Sequence, residues 1–208
     1  MRGGLWVPAF AGMTVVRVMY SIAGRALHAH HADMKPLLPL AVALLLSACV
    51  KPVPPERIAQ AGPVFLPEVV FAGELTGRGI IQTPGGKPAR GITVKSSGRV
   101  QGDGSFRLDQ TITDDRGKVS QRHWIMARSG EGRYVATLSD AAGPVKAEVT
   151  GNLFHLKYLM KKPFVTMEQW LWLLPDGRTI MNEGTIRMPG RTVARLSEVI
   201  VREGEGGR

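Results

Sequence analysis

The chain of 208 residues carries a single cysteine, which excludes an intramolecular disulfide and any multi-thiolate metal site. Histidine is also scarce. Of five, His28, His30 and His31 crowd near the N-terminus, and only His123 and His155 remain for the rest of the chain. Neither sits in a ligand-spaced motif, so no metal and no cofactor is expected. A Gly-x-Ser-x-Gly elbow is missing, and Gly86-Lys87 runs into Pro88, which spoils it as a phosphate loop. Asp114-Asp115-Arg116-Gly117 lacks the remaining ligands of a calcium loop and reads as a hairpin turn. With no catalytic constellation left, the chain is not expected to be an enzyme. No apolar run reaches the ~20 residues that span a bilayer as a helix. What is present is a globular composition, 44% hydrophobic and 21% charged, which excludes wholesale disorder.

The N-terminal quarter reads as processing signal rather than fold. Met34-Lys35 opens a stretch with an apolar run from Leu37 to Leu46 and small residues behind it, the pattern of a secretory signal peptide over residues 34–48. Its end, Leu46-Ser47-Ala48-Cys49, looks like a bacterial lipobox, and the only cysteine falls at the position that motif requires. Cys49 is therefore expected to take diacylglycerol on its sulfur and, after cleavage, a further acyl group such as palmitate on its amine. Residues 1–33 have no place in such a signal and are read as an upstream extension, with translation starting at Met34. The three clustered histidines fall in that extension and carry no site.

Four basic residues and one acid precede Cys49, so the net charge of +10 drops to +7 for residues 49–208. The basic residues there are scattered, with Lys161-Lys162 the only adjacent pair. Nucleic acid is not an expected partner; a membrane, reached through the lipid anchor, is. Val50 stands where an aspartate would favour inner-membrane retention, which points to the outer membrane facing the periplasm. Pro52, Pro54, Pro55 and Pro63 make residues 49–64 an extended tether.

From Phe71 the chain becomes a rhythm of short β-rich runs and turn signals. Strands are expected near 71–82, 89–97, 104–113, 119–128, 132–139, 144–150, 152–160, 165–174, 178–187 and 191–202. Between them lie Gly, Pro and Asp clusters such as Pro84-Gly85-Gly86, Gly102-Asp103-Gly104 and Pro175-Asp176-Gly177. Many short strands with such turns indicate an all-β sandwich or barrel. An antiparallel up-and-down barrel of about eight to ten strands over residues 65–203, with a short tail over 204–208, fits the length and can hold one small ligand.

Alternation sorts the faces. Arg122, Trp124, Met126 and Arg128 share one side of their strand. Phe154, Leu156, Tyr158 and Met160 share one side of theirs. In 166–174, Glu168, Trp170, Trp172 and Leu174 oppose Met167, Gln169, Leu171 and Leu173, and the segment is apolar on both faces from Trp170 onward. Trp124, Tyr158, Trp170 and Trp172 are the expected lining of a hydrophobic ligand site. For each of them plain core packing is the competing use.

Phe71-Ala72-Gly73 with Gly77-Arg78-Gly79, Leu108-Asp109, Arg122-His123-Trp124, Tyr134, Asp140 with Gly143, Gly151-Asn152, Tyr158, Gln169-Trp170, Asp176-Gly177 and Asn182 form a pattern. It resembles an uncharacterised family of bacterial envelope lipoproteins, domain of unknown function thirty-eight thirty-three. Gln169 departs from it where an acid is usual, and Met188-Pro189-Gly190 departs where Lys-Phe-Gly is expected. The resemblance implies an anchored, β-rich, lipocalin-like domain with no assigned activity. Two functions follow as expectations: a lipocalin-like barrel binding a fatty acid or other lipid, or a structural lipoprotein whose barrel is filled by its own side chains. Arg122, Asp140 and Asn152 are expected to hold turns or strand ends.

Overall fold

The computed structural model describes residues 53–58 and 62–204. The extension, the signal peptide, Cys49 and the tail from 205 onward lie outside the described residues. Of the tether, only a single 3-10 turn (Pro55–Arg57) and the approach from Gly62 are described.

A one-turn helix, α1 (Pro67–Val70), precedes ten strands: β1 (Gly73–Gln82), β2 (Pro88–Val100), β3 (Phe106–Asp114), β4 (Val119–Gly130), β5 (Arg133–Leu138), β6 (Val145–Thr150), β7 (Leu153–Lys161), β8 (Val165–Leu173), β9 (Thr179–Met188) and β10 (Arg191–Arg202). Each boundary lies within three residues of the one expected from the turn signals. The turns owe their shape to short polar side chains that bond their own backbone. Asp114 Oδ1 accepts from the Arg116 and Lys118 amides, and Asp176 Oδ1 from those of Arg178 and Thr179.

Every strand pairs antiparallel with its sequence neighbour, and β1 also pairs with β10. The result is a closed up-and-down barrel with no free sheet edge, the expected architecture. Inward positions follow a period of two along each strand, as in β5, where Tyr134, Ala136 and Leu138 are buried between exposed neighbours.

α1 and its flanks close one end of this barrel. Phe65 is fully buried, stacked on Phe154 at 5.2 Å and edge-on to Phe71 at 5.4 Å. Tyr134 meets Phe154 from the side at 6.1 Å. The segment is tied around the rim: the Phe65 amide donates to the Gly151 carbonyl, Arg202 Nη1 to the Val69 carbonyl, and both Arg128 Nη2 and the Tyr134 hydroxyl to the Glu68 carboxylate. Burial, and then the neighbouring Glu68 carboxylate, push the Tyr134 hydroxyl up to about 12, so it remains a donor. Gly98 lets the plug seat, because a Cβ there would collide with the Phe71 carbonyl and the Phe106 ring.

A candidate ligand site in the barrel lumen

Beyond the plug, two walls of the lumen turn polar. On the first, Ser96, Gln110 and Arg122 stand side by side in register across β2, β3 and β4. Gln110 Oε1 accepts from Arg122 Nε and from Trp124 Nε1, both at 2.9 Å, and Gln110 Nε2 donates to Ser96 Oγ at 3.3 Å. The Arg122 guanidinium lies 5.8 Å from the centre of the Trp124 ring, which favours a cation over its face. Tyr158 closes against Trp124 edge to face at 5.7 Å.

On the opposite wall, Gln169 of β8, Asn182 of β9 and Glu198 of β10 form a buried chain. Gln169 Nε2 donates to Asn182 Oδ1 at 3.2 Å, and Asn182 Nδ2 donates to Glu198 Oε2 at 2.9 Å. Burial raises the Glu198 carboxyl above its ordinary range, against the opposing pull of Asn182 and Arg122. Burial likewise raises the Tyr158 hydroxyl.

The two walls face one cavity, whose apolar lining includes Phe71, Leu108, Met126, Leu171 and Ile200. Its void open to the centres of water molecules is about 40 Å³. A water needs roughly 10–15 Å³ of such space, so the void holds a few waters as it stands.

Of the four aromatic residues expected to line the site, Trp124 and Tyr158 do face the lumen, 4% exposed each. Trp170 and Trp172 do not, and this corrects the sequence reading. Tyr158 pairs with Met167 and Phe154 with Leu171, and cross-strand partners share a face. The inward set on β8 is therefore Met167, Gln169, Leu171 and Leu173, all buried. The two indoles point outward. Trp170 stacks on His155 at 5.4 Å, and His155 Nε2 lies 3.1 Å from Glu168 Oε1. Trp172 sits beside Met181 and Leu153 in the pairing register.

The three positions expected to hold turns or strand ends divide. Asn152 does so: its Nδ2 donates to the Leu173 carbonyl, and its own carbonyl accepts from the Leu173 amide. Asp140 lies in the β5–β6 turn and is exposed. Arg122 stands in the lumen rather than at a strand end. Gln110, Asn182, Gln169 and Glu198 escaped the sequence reading as site residues. Their signal was a polar residue at an inward position between apolar residues two away on each side: Leu108 and Ile112, Ile180 and Gly184, Met167 and Leu171, Leu196 and Ile200. Only the Asn182 frame is imperfect, since Gly184 supplies no side chain.

Comparison with known proteins gives the family and the fold. The family model described as protein of unknown function DUF3833 matches residues 43–202. No curated protein matches the chain. Among solved structures, an S-type phycobiliprotein lyase from Guillardia theta superposes with a TM-score of 0.53 at 10% identity, over 64% of this chain and 89% of that one. A protein of unknown function from the DUF3598 family of Nostoc punctiforme gives 0.50 at 12% identity, over 68% and 50%.

Proposed function

Since the chain belongs to DUF3833, a family of proteins of unknown function, and folds as a lipocalin-like barrel, we propose that it is an envelope lipoprotein whose lumen binds a small hydrophobic ligand. The observation that carries the binding reading is the lumen itself: apolar at its closed end and furnished at mid-height with buried polar groups beside a void. A domain that needed only a core would gain more from apolar residues at those positions, because buried polar groups cost free energy unless fully paired. A fatty acid or related lipid suits the apolar part. Entry of an acyl chain requires side chains to move, and the inward-facing Met126, Met160 and Met167 are flexible enough to repack. The likeness to the phycobiliprotein lyase extends to the fold and brings no activity with it.

The anchoring half of the reading rests on Leu46-Ser47-Ala48-Cys49. Cys49 would hold the barrel at a membrane, on our reading the periplasmic face of the outer membrane, through several acyl chains, which resist extraction by salt where one does not. Intact mass of membrane-derived protein should show the acyl additions, and Cys49→Ser should release it; a variant that stayed bound and processed at the same site would overturn the anchor.

One observation favours a second reading, a filled barrel serving structure or assembly: the void of about 40 Å³ is far below the roughly 300–1,000 Å³ of ordinary ligand pockets. Titrating delipidated protein with fatty acids, phospholipids and fatty alcohols separates the two. Binding should change the fluorescence of Trp124 and should persist in Trp170→Phe/Trp172→Phe, whose lost indoles face outward. Absence of any saturable change gives the case to the filled barrel.

A further inference from the structure

Resting on the lumen-binding reading, the hydrogen bonds of the β8–β9–β10 wall carry a statement about the ligand's polar group. Once ionised, Glu198 can only accept, and Asn182 must then turn its Nδ2 toward Glu198 Oε2 and its Oδ1 toward Gln169. Gln169 must then turn its Nε2 toward Asn182. The chain of amides therefore has one direction, and it leaves two acceptors over. Gln169 Oε1 and Glu198 Oε1 are both buried with no hydrogen-bond partner among the described residues. Their residues are 4% and 8% exposed, and both line the cavity. The backbone makes room for this arrangement, since a Cβ at Gly77 would run into Glu198 Oε1.

Buried acceptors without donors are rare and costly. Two of them, on residues that line one cavity, describe a receptor for hydrogen-bond donors once side chains shift to admit a ligand. We propose that this wall reads the polar group of the lumen ligand, and that the group is a neutral donor, an alcohol or a primary amide on an apolar chain, rather than a carboxylate. A hydroxyl or amide N–H supplies what Gln169 Oε1 and Glu198 Oε1 lack. A carboxylate brings only more acceptors and a like charge. Among the described residues, Arg122 on the facing wall is the one cation lining the cavity, and it already gives Nε to Gln110.

The test is calorimetric titration of the full-length protein with octanol, octanamide and octanoate at neutral pH. Octanol and octanamide should bind at least about tenfold more tightly than octanoate, the effect of leaving buried acceptors unpaired. In Glu198→Gln, Asn182 Nδ2 claims the new amide oxygen and the new NH2 group faces the void, so the preference should reverse. A melting curve checks that the variant folds. Octanoate binding as tightly as octanol would overturn the donor assignment alone and move head-group recognition to Arg122. No binding of any of the three would remove the lumen-binding reading beneath it.

Discussion

At the end closed by α1, the lumen is packed ring against ring by Phe65, Phe71, Tyr134 and Phe154, while farther along the barrel it carries Gln110, Arg122, Asn182 and Glu198. Both regions are enclosed by one continuous ladder of hydrogen bonds, so the backbone does not distinguish them. The side chains do. The aromatic end satisfies itself, since its few polar groups, the Tyr134 hydroxyl and the Glu68 carboxylate, meet each other at the rim. The middle of the lumen is left with two acceptors unanswered. The closed end of the barrel is organised for stability, and the middle carries polarity that stability does not require.

The largest effect should come from the aromatic end. Phe154→Ala removes the ring at the centre of the plug and is expected to cost about 3–5 kcal/mol, read from the midpoint of urea denaturation. If it cost no more than a replacement in the polar region, the division between the two regions would fail. Gln110→Leu comes next. It takes away the acceptor shared by Arg122 Nε and Trp124 Nε1, and two stranded donors should cost about 1–3 kcal/mol. A loss confined to the indole's near-ultraviolet dichroism, with stability intact, would show that solvent reaches these donors.

The smallest effect sharpens the comparison through pH. The Glu198 carboxyl is raised in the folded state by burial, opposed by Asn182 and Arg122. The folded protein then holds a proton at pH values where the unfolded chain has released it. The resulting stabilisation is complete below the ordinary carboxylate range and is lost as pH rises through the raised value. Glu198→Gln does not titrate. Its melting temperature should therefore gain on that of the parent as pH is taken from acid to neutral, and a difference that stayed constant would show Glu198 to be solvated in the fold.

Much of this architecture was legible beforehand. Asp114-Asp115-Arg116-Gly117 and Pro175-Asp176-Gly177 punctuate the chain because their carboxylates cap their own turns, a local property readable without a structure. The faces of β4 and β7 were legible in part, since alternation sets Trp124 with Met126, and Phe154 with Leu156, on one side of each strand. The candidate site was legible only in part. Trp124 and Tyr158 were placed correctly in the lumen, but β8 is apolar on both faces, and size alone suggested that its indoles turn inward. Much of the lumen is already taken by Phe65, Phe71, Phe154, Trp124 and Tyr158, and Gly184 leaves its space to Met167 and Gln169.

By itself, the sequence determined where the β-rich runs begin and end and that short turns join them in succession, because turn chemistry and a two-residue period act within a few residues of chain. Only the tertiary structure decided that β1 closes on β10, that Gln169 rather than Trp170 enters the lumen, and that Gln169, Asn182 and Glu198 join into one directed chain. The physical reason is register. A strand with two apolar faces can present either one, and a shift of one residue exchanges them, so the choice belongs to the neighbouring strands whose side chains have already claimed the interior.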